Sequence, residues 1–284
     1  MRVLVTGASG ALGGLLCRRL ADEGGAEVLG ADLTPSDAPG FFVCDVADAD
    51  AVTALVDQTR PDRIFHLAGS ASGDFEQARS VNADGARFLC EAVRRCGLRS
   101  RLVVIGSAAE YGLVAPAENP VSEARVLRPV SVYGVTKAFQ TQIAAFYAAH
   151  HAVDIVVARL FNLLAPGLPE HLFIGRAERL IAQFRQGEIG SLEFGNLSST
   201  RDYVDGEQAL DQLLLIADKG VRGEVYHVAS GRPIVMRELL ARLLREASID
   251  PGVVREAPER PTRMGTDVPT IYADLSKTRA LADA

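Results

Sequence analysis

Three side chains in the middle of the chain have the types and spacing needed for proton transfer to a carbonyl oxygen. Tyr133 and Lys137 are four residues apart in Tyr-Gly-Val-Thr-Lys, which places them one turn apart on the same helix face. An ammonium group near a phenol stabilises the phenolate, so this spacing predicts a lowered pKa for Tyr133. Such a phenol exchanges a proton with a carbonyl or hydroxyl group near neutral pH. Ser107 precedes both and supplies a hydroxyl that can hold the same oxygen.

A glycine-rich segment near the amino terminus indicates where a dinucleotide binds. Thr-Gly-Ala-Ser-Gly-Ala-Leu-Gly occupies positions 6–13, directly after a predicted strand and at the start of a predicted helix. Glycines in this pattern permit a tight turn and a close approach of the backbone to a pyrophosphate. The helix N-terminus adds free N–H groups and a partial positive charge. The predicted cofactor contacts here are Gly7, Ser9, Gly10, Ala11, Leu12 and Gly13.

A carboxylate at the end of the second predicted strand indicates which dinucleotide is bound. Asp32 ends the sequence Val-Leu-Gly-Ala-Asp, where it can accept hydrogen bonds from the ribose diol of adenosine. The same carboxylate would repel a 2′-phosphate, and the three residues after it supply no cation. The sequence therefore favours NAD(H), with NADP(H) as the alternative. Asp45 and Val46 follow the third strand and are predicted to lie at the adenine.

Strands and helices must alternate to position these groups, and the first 160 residues show that alternation. The predicted strands are Arg2–Val5, Glu27–Ala31, Phe41–Cys44, Arg63–His66, Arg101–Gly106 and Ile155–Ala158. The predicted helices are Ala11–Glu23, Ala49–Gln58, Phe75–Cys96 and Val132–His150. Alternation of this kind is typical of a parallel sheet with helices on both faces. The predicted fold is therefore α/β, a doubly wound Rossmann-type parallel sheet.

The pattern becomes less regular after Phe161, where prolines and glycines interrupt it. Further helices are predicted at Arg176–Arg185, Gly206–Asp218 and Val235–Ala247, extended segments at Ser191–Phe194 and Glu224–Val228, and a loop at 257–270. We interpret this part as a smaller C-terminal α/β lobe that binds substrate. The expected division gives residues 1–160, with part of 196–230, to the dinucleotide. It gives 161–195 and 231–284 to the substrate.

Composition and charge exclude several classes of protein. The 284 residues are 48% hydrophobic and 23% charged, which is typical of a globular enzyme and not of a disordered chain. The net charge of −6 argues against nucleic acid as a partner. No apolar run reaches the roughly 20 residues of a membrane span and no signal peptide is evident, so we expect no membrane partner and a cytoplasmic location. The four cysteines form no Cys-x-x-Cys pair, which predicts reduced thiols and no metal site.

These motifs together resemble the extended short-chain dehydrogenase/reductase family, in its nucleotide-sugar epimerase/dehydratase branch. The resemblance runs almost from end to end. The matching segments are Thr6–Gly13 (TGxxGxxG), His66–Gly69 (HLAG), Val81-Asn82 with Gly85, Ser107 four residues before Tyr111-Gly112, Tyr133–Lys137, Arg159–Asn162 with Pro166-Gly167, and Arg201–Asp205. The last segment, with the preceding Gly-Asn-Leu at 195–197, looks most like GDP-mannose dehydratases and their partner reductases. Those enzymes make GDP-D-rhamnose and related 6-deoxy sugars.

The resemblance implies further contacts. Its implied cofactor contacts include Leu67, Ala68, Gly69, Asn82, Tyr133, Lys137 and Leu160. Its implied substrate contacts are Ser107, Ala108, Glu110, Asn162, Arg176, Arg201 and Arg263. A guanidinium fork such as that of Arg201 suits a diphosphate. Ser70 and Ser72 follow the fourth strand at its carboxyl end, where ligands bind in open α/β sheets, and are expected to touch substrate too. His66 has a structural role in the family motif.

The same fold supports reductases, dehydratases and epimerases, so the site residues must discriminate. Family dehydratases carry acidic residues two or three positions before the Tyr-Gly, and here those positions are Ala108 and Ala109, whose methyl groups cannot act as acid or base. Glu110 comes one residue later. Ser107, Tyr133 and Lys137 meet the needs of a 4-ketoreductase. We therefore predict NAD(P)H-dependent reduction of the C4 ketone of a nucleotide-activated 4-keto-6-deoxyhexose, with GDP-4-dehydro-6-deoxy-D-mannose as the preferred substrate.

Three other interpretations stay open at this point. One is a nucleotide-sugar 4-epimerase, which uses the same groups, and another is a 4,6-dehydratase in which Glu110 takes the acid–base role. The third is a dinucleotide-sensing binding protein without catalysis. Whichever holds, the resemblance implies a homodimer, because in this family the helices that match Phe75–Cys96 and Val132–His150 form a four-helix bundle between two subunits.

Overall fold

One parallel sheet organises the chain, and its strands alternate with helices as the sequence predicts. The computed structural model describes residues 1–257 and 268–283. The strands are β1 (Arg2–Thr6), β2 (Glu27–Asp32), β3 (Phe41–Val43), β4 (Arg63–His66), β5 (Arg101–Ser107), β6 (Ile155–Leu160), β7 (Asn162–Leu164), β8 (Leu192–Phe194), β9 (Thr200–Asp205), β10 (Val225–Val228), β11 (Pro233–Val235) and β12 (Val254–Glu256). The α-helices are α1 (Ala11–Glu23), α2 (Ala49–Thr59), α3 (Phe75–Arg79), α4 (Gly85–Arg95), α5 (Val132–His150), α6 (Phe173–Arg185), α7 (Gly206–Lys219), α8 (Met236–Glu246) and α9 (Ser276–Ala280).

The central sheet has the order β10-β6-β5-β4-β1-β2-β3, and every neighbouring pair is parallel. Alternate residues of each strand pack on opposite faces. On β5, for example, Val104 packs with α2, α4 and α5, and Val103 packs with α1 and α7. A sheet covered on both sides requires strands that are apolar at successive positions, as β5 and β6 are. The doubly wound α/β fold expected from the sequence is confirmed.

The strand order reverses next to β1, and this reversal determines where a ligand can bind. The chain goes from β1 to β2 and β3 on one side, and then returns to β4, β5 and β6 on the other side. The loops that follow β1 and β4 therefore diverge at the carboxyl edge of the sheet and open a crevice between them. The glycine-rich segment after β1, the His66–Gly69 segment and Ser107 at the end of β5 all lie at this edge.

The expectation of one continuous helix over Phe75–Cys96 is wrong. A π-helical turn, Ser80–Asp84, separates α3 from α4. The wider turn faces Asn82 inward, where its side chain is buried and bonds to the backbone N–H of Ser70 at 2.8 Å, the Ser70 carbonyl at 2.9 Å and the Thr136 hydroxyl at 2.9 Å. This one amide joins the loop after β4 to α5. Insertions of this type in helices often mark functional sites.

Smaller sheets form the C-terminal part of the chain. Strand β9 pairs in parallel with β7 and antiparallel with β11, while β8 pairs with β12. The buried Asp202 carboxylate on β9 joins three segments, because it accepts hydrogen bonds from Ser230, Gly231 and the backbone N–H of Ala273. The predicted loop at 257–270 lies mostly outside the described residues, and its last residues pack along β9, where the N–H of Thr200 bonds to the carbonyl of Pro269.

The four cysteines are free thiols, as expected, with Cys44 and Cys90 buried. Among the residues described, no helix combines the length and the apolar character needed to cross a lipid bilayer.

Replacing Asn82 by alanine tests the role of the π turn. Asn82→Ala leaves the half-buried backbone groups of Ser70 without their partner and removes one of the two partners of the buried Thr136 hydroxyl. Leaving one such group unsatisfied costs about 2 kcal/mol. We expect the free energy of unfolding in urea to fall by at least that amount. The matched control, Gln58→Ala, removes an exposed side chain from α2. An equal effect of the two substitutions would contradict a structural role for the Asn82 amide.

Candidate active site

The turn between β1 and α1 packs so tightly that two of its glycines cannot be replaced. Gly7 has a φ of +73°, and a Cβ there would lie 2.6 Å from the backbone nitrogen of Ala68 in the loop after β4. A Cβ on Gly13 would collide with the carbonyl oxygen of Gly7. Helix α1 begins at Ala11 with no side-chain cap and no acidic residue in its first turn, so its first N–H groups face the crevice without a charge that would repel an anion. This cradle fits the pyrophosphate of a dinucleotide.

Two other sets of predicted cofactor residues lie beside the same cradle, at the end of β2 and in the loop after β4. One oxygen of Asp32 accepts the backbone N–H of Ser9 at 3.0 Å, so the carboxylate at the end of β2 is held beside the glycine turn. Asp45 accepts the backbone N–H of Ala47 at 2.9 Å. Val46 is buried, and a Cβ on Gly85 would touch it, so its side chain packs under α4. In the β4 loop, Leu67 and Ala68 are half-buried against the turn and Gly69 is exposed.

Ser107 and Tyr133 meet at the carboxyl edge of the sheet. Ser107 is the last residue of β5, and Leu160, at the end of β6, lies opposite it in the register. The N-cap of α5 is Ser131, whose hydroxyl accepts the N–H of Gly134 at 3.1 Å. That start of the helix places Tyr133 in its first turn, where its phenol lies close enough to the Ser107 hydroxyl for the two to interact. The structure thus brings together two of the three predicted catalytic groups.

Lys137 lies one turn further along α5 and is buried. Its ammonium donates to the carbonyl of Ile105 at 2.5 Å and to the side-chain oxygen of Gln140 at 2.7 Å. Burial lowers the pKa of Lys137 to about 8, although the nearby Glu110 charge opposes that change. Gln140 donates in turn to the same Ile105 carbonyl at 2.8 Å. The ammonium is therefore held by the end of β5 on the inner side of α5.

The expected lowering of the Tyr133 pKa is wrong for this structure. Burial raises the pKa of the Tyr133 phenol, the neighbouring Ser107 hydroxyl opposes that rise, and the Glu110 charge adds to it. The sequence spacing correctly gives a shared helix face, but the Lys137 ammonium bonds to Ile105 and Gln140 and not to the phenol. A phenol with a raised pKa keeps its proton at neutral pH, which suits a proton donor.

Glu110 and Asn82 require correction as ligand contacts. The Glu110 carboxylate is fully buried, and it accepts the backbone N–H of Ser107 at 2.7 Å, the Thr141 hydroxyl at 2.8 Å and the guanidinium of Arg159 at 2.8 Å. It therefore points into the protein, while Ala108 and Ala109 beside it are half-buried. Asn82 was expected at the cofactor, but its side-chain amide is hydrogen-bonded to Ser70 and Thr136.

The remaining predicted substrate residues form two groups. In the β4 loop, the Ser70 hydroxyl accepts the N–H of Ser72 at 3.2 Å, and the Ser72 hydroxyl bonds to Gln77 at 2.7 Å. On the other side, Asn162 of β7 lies opposite Tyr203 of β9 and donates to the Asp202 carbonyl at 2.8 Å.

The three arginines expected at the substrate lie in different places. Arg201 is on β9, two residues before the partner of Asn162, and its guanidinium donates to the Thr200 carbonyl at 3.0 Å. Arg176 is on α6, donates to the Glu193 carbonyl at 2.8 Å and lies 5.7 Å from the centre of the Phe194 ring, so it belongs to the packing of the C-terminal part. Arg263 lies outside the described residues.

Sequence reasoning missed a buried polar network behind Ser107. Arg159, the last residue but one of β6, is buried and bonds to the Tyr111 hydroxyl at 2.7 Å in addition to Glu110. The Tyr111 hydroxyl is 2.5 Å from Nε2 of His227 on β10. The sequence did contain a signal, the single charged residue in the apolar strand Ile-Val-Val-Ala-Arg-Leu. Because a charge buried in a sheet needs a partner, this arginine indicates a buried ion pair. Over 1–257 and 268–283, no group of three or more His, Cys, Asp or Glu side chains could hold a metal ion.

His66, expected to be structural, is buried beneath the site. Its Nδ1 lies 2.8 Å from the Thr6 hydroxyl, and its Nε2 has no hydrogen-bond partner among the described residues. Burial lowers the pKa of His66 to about 3, and the Lys137 charge contributes to the lowering. Burial likewise lowers the pKa of His227 to about 4. Both imidazoles are therefore neutral at physiological pH.

Comparisons with known proteins agree with this architecture. Residues 3–229 match the sequence profile of the NAD dependent epimerase/dehydratase family. The chain is 34% identical over 286 residues to dTDP-6-deoxy-L-talose 4-dehydrogenase (NAD(P)(+)) of Kitasatospora kifunensis, covering 98% of this chain and 88% of that protein. It is 31% identical over 215 residues to GDP-6-deoxy-D-mannose reductase of Pseudomonas aeruginosa, covering 72% and 71%. The structure of RMD from Pseudomonas aeruginosa with NADPH matches with a TM-score of 0.87 at 26% identity, over 99% of this chain and 92% of that one. The resemblance drawn from the motifs is confirmed.

The two buried histidines should make stability fall with acid. Their pKa values in the folded chain lie below the ordinary value of 6.5, so at pH 5–6.5 the unfolded chain binds more protons and the free energy of unfolding decreases as the pH falls. Each histidine contributes a slope of up to about 1.4 kcal/mol per pH unit. In urea unfolding of His66→Asn, the free energy of unfolding should change less steeply with pH, because about one proton fewer is taken up on unfolding. The control, exposed His171→Asn, should keep the wild-type slope, and an unchanged slope in His66→Asn would refute the assignment.

Proposed function

The chain belongs to the NAD dependent epimerase/dehydratase family, and on that premise we propose that it is a nucleotide-sugar 4-ketoreductase. The reaction is NAD(P)H-dependent reduction of the C4 ketone of a 4-keto-6-deoxyhexose. The observation that carries the proposal is the orientation of the site carboxylate. The Glu110 carboxylate is buried and bonds to Arg159, Thr141 and the Ser107 backbone, while the side chains of Ser107 and Tyr133 lie next to each other at the crevice. Dehydration needs an acid–base pair at C5 and C6 of the sugar, and Glu110 points away from any such position.

The residues of the site divide the reaction between them. Ser107 donates its hydroxyl proton as a hydrogen bond to the C4 oxygen and holds it beside Tyr133. A reduced nicotinamide cofactor held by the glycine turn and Asp32 would supply the hydride that C4 of the sugar takes up. Tyr133 then gives its hydroxyl proton to the oxygen, so that the ketone becomes an alcohol. Lys137 keeps a positive charge at the edge of β5, where it favours the phenolate left behind.

Asp32 supports NAD(H) as the preferred cofactor. Its carboxylate faces the glycine turn, where it can bind a ribose diol and would repel a 2′-phosphate. The two most informative relatives have names that include NAD(P) or NADPH, so NADPH is tested beside NADH. Under this proposal residues 1–160 with part of 196–230 bind the dinucleotide, and 161–195 with 231–284 bind the sugar nucleotide.

A GDP-sugar is the substrate that we favour. GDP-6-deoxy-D-mannose reductase shares 31% identity with the chain, and the late Arg201–Asp205 motif points the same way. Asn162 and Arg201 lie on the paired strands β7 and β9, and we assign them to the diphosphate. The product is then GDP-D-rhamnose or its C4 epimer. The dTDP-sugar relative makes the dTDP analogue the natural comparison substrate.

The outward faces of the helices support a homodimer. Phe139 and Phe146 of α5 are exposed, and Phe75 at the start of α3 is exposed beside Phe139, with ring centres 6.4 Å apart. Large apolar side chains grouped on one surface are typical of contact faces. We propose that two subunits pair through this α3–α5 face.

Tyr133→Phe tests the assigned proton donor. Because phenylalanine cannot give a proton, we expect the rate of NADH oxidation with GDP-4-dehydro-6-deoxy-D-mannose to fall by about 10²–10⁴-fold. NADH binding, followed by calorimetry, should weaken far less than the rate falls, because Tyr133 is one of many expected cofactor contacts. The matched control is Tyr147→Phe on the same helix, whose hydroxyl bonds to Glu91 away from the site. Turnover by Tyr133→Phe equal to that of wild type would refute the role.

An assay of the wild-type protein tests which reaction it catalyses. NADH or NADPH is incubated with 4-keto-6-deoxy sugars carrying GDP and dTDP, and the product is identified by mass and NMR. Net consumption of reduced cofactor with an alcohol product supports the proposal. Tightly retained NAD⁺ with no net consumption would overturn it in favour of a 4-epimerase.

Light scattering tests the pairing surface. We expect a dimer mass for the wild type at micromolar concentration, and a shift toward monomer for Phe139→Ser combined with Phe146→Ser. Val221→Ser, which removes an exposed apolar side chain elsewhere, is the control. A wild-type monomer, or a dimer unaffected by the double substitution, would contradict the proposal that the subunits pair through this face.

A further inference from the structure

Glu110 joins the three elements that carry the site. It belongs to the short 3₁₀ turn Ala108–Tyr111 that follows β5, and its carboxylate folds back to accept the N–H of Ser107 at 2.7 Å. The other oxygen accepts the hydroxyl of Thr141 on α5 and the guanidinium of Arg159 on β6, each at 2.8 Å. Thr141 lies one turn beyond Lys137 on the same helix. One carboxylate therefore ties the backbone of Ser107 to the helix that bears Tyr133 and Lys137.

The space that this carboxylate occupies depends on the absence of a side chain at position 106. A Cβ on Gly106 would lie 2.8 Å from Oε1 of Glu110 and 3.0 Å from the Val157 side chain. Gly106 pairs with Arg159 across β5 and β6, so the carboxylate and its guanidinium partner meet directly above this glycine. The carboxylate of Glu110 therefore fits in this position only because residue 106 has no side chain.

A directed chain of hydrogen bonds fixes the guanidinium in turn. The carbonyl of Asp274 can only accept, so Nδ1 of His227, 2.9 Å away, is the donor. Because His227 is neutral, its Nε2 accepts the Tyr111 hydroxyl proton, and the Tyr111 oxygen accepts from Arg159. Arg159 then donates to Glu110. This path fixes the guanidinium of Arg159, and Glu110 is held in place by donors from three elements.

We propose that Glu110 is a positioning residue of the site: its buried carboxylate holds Ser107 at a fixed place relative to the helix that carries Tyr133 and Lys137, and supplies the negative charge that balances the buried Lys137 ammonium. The proposal rests on the proposed function for its substrate, but the positioning itself is a property of the ligand-free chain. Glu110 does not touch the sugar.

The charge balance around Lys137 gives a readout that needs no substrate. The charged groups near Glu110 are Arg159 and Lys137, and the charge that acts on Lys137 is that of Glu110. His66, the other titratable group near Lys137, is neutral. Glu110 raises the pKa of Lys137 against the effect of burial. Loss of the Glu110 charge should therefore lower the pKa of Lys137 below its wild-type value. The chain has three lysines, so the signal of Lys137 can be assigned by substitution.

The experiment compares Glu110→Gln with wild type in two measurements. The first follows the pH titration of Lys137 by NMR of the full chain carrying ¹³Cε-lysine, without ligands. The second measures kcat and KM for NADH oxidation with the GDP-ketosugar. The control is Thr59→Val, which removes a buried threonine hydroxyl that bonds to a carbonyl within α2. If Glu110→Gln fails to fold, Glu110→Gln combined with Arg159→Met replaces it, because removing both members of a buried ion pair is far better tolerated than removing one.

The expected result is a lowered pKa for Lys137 and a fall in kcat of about tenfold or more with KM little changed, since small misplacements of catalytic groups cost rate more than binding. Thr59→Val should alter neither. A Lys137 titration identical to that of wild type overturns the proposal, and so does a wild-type kcat in the folded variant. If the wild type itself turns over no sugar, the proposed function fails, and the lysine titration still decides whether Glu110 acts on the site.

Discussion

A parallel sheet covered by helices on both faces leaves only the ends of its strands open to a ligand. In this chain α2, α4 and α5 fill one face and α1 and α7 the other. All reactive groups must therefore come from the turns and helix starts at the carboxyl edge, next to the point where the strand order reverses. The glycine turn after β1, the loop after β4 and the end of β5 meet there. The same constraint places every polar group that supports them inside the protein, where each needs a partner.

Burial explains the electrostatics of the site. Lys137, Glu110, Arg159 and His66 are all nearly inaccessible to water, so each is either paired or kept neutral. Lys137 is held by a carbonyl and an amide, Glu110 by three donors, and His66 by the Thr6 hydroxyl. The reactive phenol of Tyr133 stands at the outer limit of this set. Its chemistry depends on charges that lie one layer below it.

Local sequence signals predicted what local physics controls. The glycine turn, the helix Val132–His150 and the strand Arg63–His66 are found as expected, since each depends on a few adjacent residues. The π turn at Ser80–Asp84 gave no such signal, because it arises from the contacts of Asn82 with distant Ser70 and Thr136.

The predictions for the pKa of Tyr133 and for the role of Glu110 were wrong for a related reason. Helical spacing shows that Lys137 shares a face with Tyr133, but it cannot show that the ammonium reaches Ile105. Glu110 looked like a substrate contact from its neighbours in sequence, yet its partner Arg159 is 49 residues away on another strand. The C-terminal part was predicted in outline, and the Asp202 junction that organises it required the fold.

The bare backbone at Gly106 has a consequence for how this chain could change in descent. A side chain at position 106 would meet the carboxylate of Glu110 and push it out of its present place, which would disturb the ion pair with Arg159. Neither position can therefore drift alone. We therefore expect Gly106, Glu110 and Arg159 to be kept together, or to be replaced together by uncharged side chains of the same total volume.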